Sequence, residues 1–330
     1  MNINEVSSSG SPSPDKPATS LTDKVSEDDA ASTSSNDLGP IIKTLGALQP
    51  SVFSTVETSQ PSKHIQTSAV VLSCPHAGRI YPAEFIAASI ADIKGLRSLE
   101  DFGVDQLISG ALEFGVTCVT NKIARAYIDV NRPVDALDYL MLNKPPKSKS
   151  SKLSRQVRAG YGLLPRLTAA REVIHRQLLS DEEVESRIQL VHQPYHFALK
   201  SALGNACKVF DRSFLVDCHS MPPTDQQDRP LADIILGDLH HNTLDRKIGQ
   251  KLAAIITKSG FSIGWNTPYA GGHITKNYGV VNTRQQSLQI EINRRLYMSR
   301  KYVLDPAGAK RVAGLLNNIF SILTDITSGV

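Results

Sequence analysis

Two histidines follow apolar runs of this sequence, and each lies near a proline. His219 belongs to the run FLVDCHSMP from Phe214 to Pro222, and His76 follows the run AVVLSCP that begins at Ala69. Two imidazoles and a carboxylate that leave one coordination position for water are the ligand set of a catalytic zinc ion. The two histidines are not in a compact HExxH motif, so this prediction depends on the fold bringing them together.

Glu291 lies in the middle of a third apolar alternation, SLQIEIN, from Ser287 to Asn293. A carboxylate is costly to bury in such a strand unless it has a partner or a task. Activation of a water molecule bound to a metal ion would be such a task. The sequence therefore makes Glu291 a candidate catalytic residue.

The elements that must position these residues are buried strands. Apolar runs that end in polar residues and proline predict strands whose carboxyl ends open into a cleft, where ligands of open α/β sheets bind. The side-chain period of two places Asp217 and His219 on the same side of a strand, so Asp217 could orient the imidazole. A strand-end histidine that is only hydrogen-bonded is the alternative interpretation.

Acidic residues begin the segment LEDFGVDQLISGALEFG, which we interpret as a helix. Glu100 and Asp101 fall at its N-terminus, and Asp105 follows one turn later on the same face as Asp101. Acids at this position interact favourably with the helix dipole, which is the structural explanation. The alternative is that one of them supplies a carboxylate to the metal ion.

Polar residues also alternate in VTCVTNKIARAYIDVNRP, which we interpret as strand. Arg125, Asp129 and Asn131 would then share one face, and a solvated face would explain the pattern. Arg132 at the strand end is suited to hold a carboxylate through two parallel hydrogen bonds.

A glycine pair and a further histidine are weaker candidates for the same site. Gly271 and Gly272, in the loop NTPYAGGHITKNYG, would let the backbone approach a ligand closely, although an ordinary irregular connection is the alternative. His196, next to Pro194 in a predicted helix, could face the site or lie between helices.

Length and composition bound the class of protein. The chain has 330 residues, a formal net charge of +4 and four cysteines, none in a CxxC pair. It is long enough for one large α/β domain without disulfides, and its charge is too small to indicate nucleic-acid binding. It has no apolar stretch of about 20 residues and does not open with a signal sequence, so we predict no membrane span and a cytoplasmic location. The oligomeric state is not predicted.

The domain organisation follows from composition. Residues 1–61 are rich in Ser, Thr and Pro and are predicted to be a disordered tail, because they have little apolar surface to bury. Residues 62–330 are predicted to form a single domain with a basic, flexible insertion at about 142–162. This insertion is either a solvated loop or a segment that attracts an anionic substrate or acidic partner.

Seven stretches from Cys74 to Met298 together resemble the N-formylglutamate amidohydrolase family. They are, in the family's order, CPHAGRIYP, EDFGVDQL, ARAYIDVNRP, PYHFAL, VDCHSMP, PYAGGHITKNYG and QIEINRRLYM. The family looks related to zinc carboxypeptidases and aspartoacylase, and DVNRP resembles their Asn-Arg substrate-binding strand. The resemblance implies a three-layer α/β/α fold with a mixed sheet. It also implies zinc-dependent hydrolysis of the amide bond of a small N-acyl amino acid, with N-formyl-L-glutamate the first candidate.

The resemblance also implies a ligand set for the zinc ion. His76 and His219 would bind it, and the acidic helix start would provide the third ligand. The carboxypeptidase pattern has a Glu three residues after the first His, and this sequence lacks it. Asp101 is therefore the expected carboxylate ligand, with Glu100 and Asp105 as alternatives.

Roles in catalysis are implied in the same way. Glu291 would be the general base, Arg125 would polarise the scissile carbonyl, and Asn131 and Arg132 would hold the α-carboxylate of the substrate. Three more residues are expected to contribute to substrate binding: Gly271, Gly272 and His196. A related deacylase or carboxypeptidase with another substrate is the alternative enzyme, and a binding protein with a vestigial pocket is the alternative of another class.

Overall fold

The chain contains both strands and helices, as the sequence patterns predict. A computed structural model describes residues 39–44, 46–48, 54–61, 67–144, 153–300 and 302–328. The strands are β1 (Ile41–Lys43), β2 (Val56–Ser59), β3 (Val70–Cys74), β4 (Ile80–Pro82), β5 (Thr117–Asn121), β6 (Ser213–Met221), β7 (Ile234–Gly237), β8 (Ile263–Trp265), β9 (Gln285–Asn293), β10 (Met298–Arg300) and β11 (Val303–Leu304). The α-helices are α1 (Ala83–Ala88), α2 (Ile93–Arg97), α3 (Val104–Leu107), α4 (Arg155–Arg158), α5 (Asp181–Arg187), α6 (Gln193–Phe210), α7 (Arg246–Lys258), α8 (His273–Tyr278) and α9 (Pro306–Ser328). Short 3₁₀ helices and one π-helical turn, Ile188–His192, complete the described elements.

The main sheet is mixed. In the described part of the chain it has seven strands in the order β2-β5-β3-β6-β9-β7-β8. The central strands β5, β3, β6 and β9 are parallel, whereas β2 and β7 pair antiparallel with β5 and β9. Every residue of β3 and β6 is buried, which is typical of parallel strands covered on both faces. The predicted mixed sheet is confirmed.

Apolar side chains on the two faces of the sheet form two separate clusters. On one face Leu215 of β6 belongs to a cluster with Leu199 of α6. On the other face Val216 of the same strand belongs to a cluster with Leu252 of α7 and Leu316 of α9. Because successive strand residues point to opposite faces, one strand contributes to both clusters. The sheet thus lies between two helical layers, and the predicted three-layer fold is confirmed.

The same alternation positions the polar residues of the central strands. Asp217 and His219 lie on the α6 side, since they alternate with Val216, which faces α7 and α9. The register of β6 against β9 pairs His219 with Glu291 and Asp217 with Gln289. Four polar groups are therefore neighbours on one face, near the carboxyl ends of both strands.

Ordered structure extends into both segments that the sequence predicts to be flexible. Strands β1 and β2 lie within 1–61, and β2 pairs with β5 as an edge strand with Val56 buried. The short sequence VETS has no apolar run, so the strand depends on this pairing. In the basic insertion, α4 begins after Ser154, whose hydroxyl accepts a hydrogen bond from the Val157 N–H. Residues 1–38, 45 and 49–53 of the predicted tail and residues 145–152 of the insertion lie outside the described residues.

Within the described ranges, no helix combines the length and the hydropathy that a membrane span requires.

Shortening a central side chain should destabilise the protein far more than the same change at the surface. Ile290 of β9 has no exposed surface and lies in the cluster against α7 and α9, whereas Ile90 is 58% exposed. We expect Ile290→Ala to lower the free energy of unfolding by about 2–5 kcal/mol, because it removes buried methylenes and leaves a cavity. Ile90→Ala should change it by less than about 0.5 kcal/mol. Denaturant unfolding measures both, and equal losses would contradict the assigned sheet register.

Candidate metal centre and active site

The candidate site lies where β3, β6 and β9 end. His76 follows β3 by two residues, His219 lies in β6, and Glu291 is its register partner in β9. The three strands are parallel, so their carboxyl ends meet at one edge of the sheet. The two imidazole rings are 4.8 Å apart between centroids. The predicted convergence of His76, His219 and Glu291 is therefore present.

Asp101 completes a buried group with the two histidines. Its Oδ2 lies 2.9 Å from His219 Nδ1 and 3.3 Å from His76 Nδ1. One donor atom from each of the three residues lies within 4.8 Å of the other two. Two ligands of a tetrahedral zinc ion, each about 2.1 Å from the metal, are separated by about 3.4 Å. The group can therefore hold a metal ion.

A carboxylate behind each histidine fixes the orientation of its ring. His76 Nε2 lies 2.7 Å from Asp129 Oδ1, and His219 Nε2 lies 3.0 Å from Asp217 Oδ2. His76 Nε2 thus donates to Asp129, and the Nδ1 atoms of both rings are turned towards Asp101, as in metal-binding histidines with a carboxylate partner. Asp217 thus lies close enough to His219 to orient its ring, as the sequence predicts.

The surroundings of the two Nδ1 atoms suit nitrogens that bind a cation. His76 Nδ1 is buried and makes no hydrogen bond, since its contact with Asp101 is poorly aligned. Burial by itself would lower the pKa of His219, but Asp217 and Asp101 raise it well above its ordinary value. A proton on His219 Nδ1 then lies between the ring and Asp101, where a cation would bind. Metal binding would displace that proton.

Among the three acids of the predicted helix start, only Asp101 faces the histidines. Glu100 accepts hydrogen bonds from Tyr81 at 2.7 Å and from Arg97 at 3.2 Å. Asp105 Oδ2 lies 3.8 Å from Nη2 of Arg79. Burial would raise the pKa of Asp101, but the hydrogen bond from His219 and the charges of the two neighbouring histidines hold it well below its ordinary value. Asp101 is therefore the anion of this group.

The backbone around Asp101 differs from the prediction. The expected continuous helix is broken into α3 and a 3₁₀ helix, Ser109–Phe114, and Asp101 precedes both. Gly103 is in the left-handed region with a φ of 74°, which interrupts the helix that the pattern suggests. Asp101 is instead held by its backbone N–H, which donates to the carbonyl of His76 at 2.9 Å. The helix dipole is thus not the reason for an acid here.

The other carboxylate oxygen of Asp101 is held by a residue of β6 and by the residue that directly follows β9. Oδ1 lies 3.2 Å from Arg294 Nη2, and it accepts a hydrogen bond from the Ser220 hydroxyl at 3.3 Å. Arg294 also donates to Ser220 through Nε at 3.0 Å. These contacts leave Oδ2 facing the histidines.

Glu291 is buried beside this group. It is 6% exposed, and its Oε1 accepts a hydrogen bond from Gln289 at 2.9 Å. Burial raises the pKa of Glu291 to about 8, although the neighbouring His219 acts in the opposite direction. A carboxyl group that gains and loses its proton near neutral pH is suited to general base and acid catalysis.

Arg125, Asp129 and Arg132 lie together, but not on a strand as predicted. Strand β5 ends at Asn121, and the residues that follow form turns. Nε and Nη2 of Arg125 each lie 2.9 Å from Asp129 Oδ2. Nη2 of Arg132 lies 3.8 Å from the same oxygen. The turns bring these side chains to one carboxylate, which strand alternation alone would not require.

Asn131 connects the glycine-rich loop to His219. Its Oδ1 accepts the Ile274 N–H at 2.8 Å, and its Nδ2 lies 3.3 Å from Asp217 Oδ2. A Cβ on Gly272 would lie 2.5 Å from the Asn131 amide, and Gly271 has a φ of 128°, which excludes most other residues. Residue 272 is therefore a glycine because its backbone packs closely on Asn131, and not because it approaches a ligand.

Comparison with known proteins decides the family. The model of the N-formylglutamate amidohydrolase family matches residues 68–298, which contain all the site residues described above. The chain belongs to this family. Membership confirms the family predicted from the seven stretches and the enzyme class, an amidohydrolase.

Relatives within the family match most of the chain. N-formylglutamate deformylase of Pseudomonas putida is 26% identical over 238 residues, or 69% of this chain and 81% of that protein. The enzyme of the same name from Pseudomonas aeruginosa is 26% identical over 252 residues, or 73% and 88%. The crystal structure of N-formylglutamate amidohydrolase from Ralstonia eutropha has a TM-score of 0.77 at 29% identity, covering 84% of this chain and 100% of that one.

Two residues of this amidohydrolase site were missed by the sequence patterns. Arg294, which holds Asp101, directly follows β9 and has no periodic signal of its own. Tyr269 interacts electrostatically with Glu291, Arg294 and Asp101, and burial raises its pKa to about 12. Its position between Pro268 and the glycine pair was the signal available in the sequence.

His196 is predicted to bind substrate, but its ring contacts other parts of the protein. Its Nε2 lies 2.9 Å from the Val130 carbonyl, and its Nδ1 lies 2.7 Å from the Tyr278 hydroxyl. Nε2 donates and Nδ1 accepts in a neutral ring, and burial lowers the pKa of His196 to about 3. Both ring nitrogens are thus used inside the protein. The alternative in which His196 packs between elements describes it better.

This buried neutral ring should make the protein sensitive to acid. Below the ordinary pKa of 6.5 the unfolded chain protonates His196 whereas the folded chain does not, so the stabilisation present above pH 6.5 is lost as pH falls towards 3. We expect the free energy of unfolding to fall more steeply from pH 6.5 to pH 4 in the wild type than in His196→Gln. The difference should be at most about 1.4 kcal/mol per pH unit. Denaturant titrations at several pH values test this, with exposed His240→Gln as the control, and parallel slopes would contradict it.

Proposed function

We propose that this amidohydrolase cleaves N-formyl-L-glutamate to formate and L-glutamate in a zinc-dependent reaction. The observation that carries the proposal is the buried group of His76, Asp101 and His219 with Glu291 as the neighbour of His219. The names of the relatives in both Pseudomonas species support the substrate, since both are N-formylglutamate deformylases.

Zinc is proposed because the donor set fits it. Two imidazole nitrogens and one carboxylate oxygen form a three-ligand site of the kind that catalytic zinc uses, and the orphaned Nδ1 of His76 supplies one of them. When bound, zinc would lower the pKa of a water molecule from about 16 towards about 7 and polarise the formyl carbonyl.

Glu291 would move the proton. Its carboxylate accepts a proton from the attacking water and passes it to the departing nitrogen, so that the amine leaves neutral. A poor leaving group makes this transfer necessary in amide hydrolysis. Glu291 is buried beside His219, and a water molecule on a metal ion held by the two histidines would therefore be near its carboxylate.

The arginines would bind the substrate. Arg125 is fixed by two of its nitrogens on Asp129 and interacts electrostatically with Asp101 and Glu291, so it is suited to stabilise the oxyanion. Arg132 donates Nε to the Tyr161 carbonyl at 2.9 Å and Nη1 to the Asn131 carbonyl at 2.8 Å. Its Nη2, which lies 3.8 Å from Asp129 Oδ2, then remains for the α-carboxylate. Asn131 would serve mainly to hold His219, Asp217 and the glycine-rich loop together.

Hydrolysis of N-formyl-L-glutamate by the purified full chain tests this proposal. We expect formate and glutamate in equal amounts, and we expect Glu291→Gln to lower kcat by about 100-fold or more because the proton acceptor is lost. Release of amine from N-formyl amino acids, N-acetyl amino acids and dipeptides with a free C-terminus distinguishes a deformylase from another deacylase or a carboxypeptidase.

Full activity of Glu291→Gln would remove this residue from the mechanism. Binding of RNA or an acidic protein by the basic insertion, unaffected by Glu291→Gln and without hydrolysis of any substrate, would instead favour the binding-protein alternative.

Metal content should depend on the two histidines. We expect His76→Ala and His219→Ala to contain less than about a tenth of the wild-type zinc, since each removes one of three protein ligands. Elemental analysis after dialysis measures this, and exposed His240→Ala serves as the matched control. Undiminished zinc in both site variants would reject the ligand assignment.

A further inference from the structure

The proposed substrate presents two carboxylates, and both belong to the amine side of the scissile bond. On one side of the site the carboxylate of Asp129 faces two guanidinium groups, those of Arg125 and Arg132. Burial lowers the pKa of Arg132, and the neighbouring Arg125 adds to this effect. This side therefore has an excess of positive charge that one carboxylate of the substrate would neutralise.

A histidine cluster lies next to Arg132. It consists of His192, His196 and His273, with ring centroids 4.3 Å apart between the first two and 5.6 Å apart between the last two. His192 Nε2 donates to the carbonyl of Arg132 at 2.9 Å. It belongs to the π-helical turn Ile188–His192, and such turns occur frequently at functional sites.

His273 is the member of the cluster that borders the catalytic residues. It lies between Gly272, which packs on the Asn131 amide, and Ile274, whose N–H donates to the same amide at 2.8 Å. Asn131 in turn lies 3.1 Å from His219 through Nδ2. Asn131 thus holds the backbone on both sides of His273 next to His219.

The ring of His273 is also the one that is free to bind. His196 uses both of its ring nitrogens and His192 uses Nε2, whereas His273 makes no hydrogen bond to the described part of the chain. Its ring is half-buried. Burial, together with His192 and Arg132, lowers the pKa of His273, so at neutral pH it offers one N–H donor and no charge.

We propose that His273 donates a hydrogen bond to the side-chain carboxylate of the substrate and thereby selects acidic N-acyl amino acids. The inference rests on the proposed function, with Arg132 holding the α-carboxylate beside it. A site that hydrogen-bonds one substrate group discriminates against substrates that lack it, because the polar group of the site is then left unpaired. His273 would thus be a specificity-determining residue that contacts the substrate.

Substitutions of His273 with and without a donor test this role. We expect His273→Leu to lower kcat/KM for N-formyl-L-glutamate by about tenfold or more, and that for N-formyl-L-leucine by less than about threefold. His273→Gln, which restores an N–H donor, should recover part of the preference for the acidic substrate. Lys276→Gln is the matched control, because it removes an exposed basic residue from the same helix. Equal losses on both substrates, or no recovery in His273→Gln, would overturn the proposal.

Equilibrium binding separates this inference from the proposed reaction. Calorimetric titration of L-glutamate and L-leucine into the wild type and both His273 variants requires no turnover. We expect His273→Leu to weaken glutamate binding about tenfold and to leave leucine binding unchanged. Such a result without hydrolysis of any N-formyl amino acid would sustain the assignment of His273 and refute the proposed function. Unchanged glutamate binding in His273→Leu would refute the assignment of His273.

Discussion

Four carboxylates are buried at one end of the sheet, and the arrangement of the site depends on how their charges are compensated. Asp129 and Asp217 are fully buried, Asp101 is 3% exposed and Glu291 is 6% exposed. An isolated buried carboxylate would be protonated or would destabilise the fold by several kcal/mol or more. Each one is instead placed against a cation or a hydrogen-bond donor, so the positions of all four are linked.

This linkage explains why distant parts of the chain converge. Asp129 joins His76 to two arginines, and Asp217 joins His219 to Ser73, whose hydroxyl donates to it at 2.7 Å. Movement of any one side chain would leave a buried charge without its partner. The result is a rigid second layer behind the two imidazoles, which holds their Nδ1 atoms ready for a cation.

Glu291 is the least compensated of the four. Its hydrogen-bond donor is the neutral amide of Gln289, and burial raises its pKa to about 8, whereas the pKa values of Asp101 and Asp129 are held well below their ordinary values. One end of the site therefore contains fixed anions that can hold a metal ion, and the neighbouring strand carries a carboxyl group that can exchange a proton. Different environments give chemically similar groups different roles. The histidine cluster adds a neutral donor next to Arg132.

The sequence by itself determined the layered fold and the main strand-borne residues of the site. Apolar runs predict β3, β6 and β9, and a side-chain period of two places Asp217 with His219, since strand geometry is local. It left Asp101 among three acids and misassigned the segment from Arg125 to Asn131 as strand, because the positive φ of Gly103 and the turns after β5 are set by long-range contacts. Only the tertiary structure decided that the buried ring of His196 contacts Tyr278 and that Arg294 holds Asp101. Both contacts join residues that are far apart in the sequence, so no local periodicity indicates them.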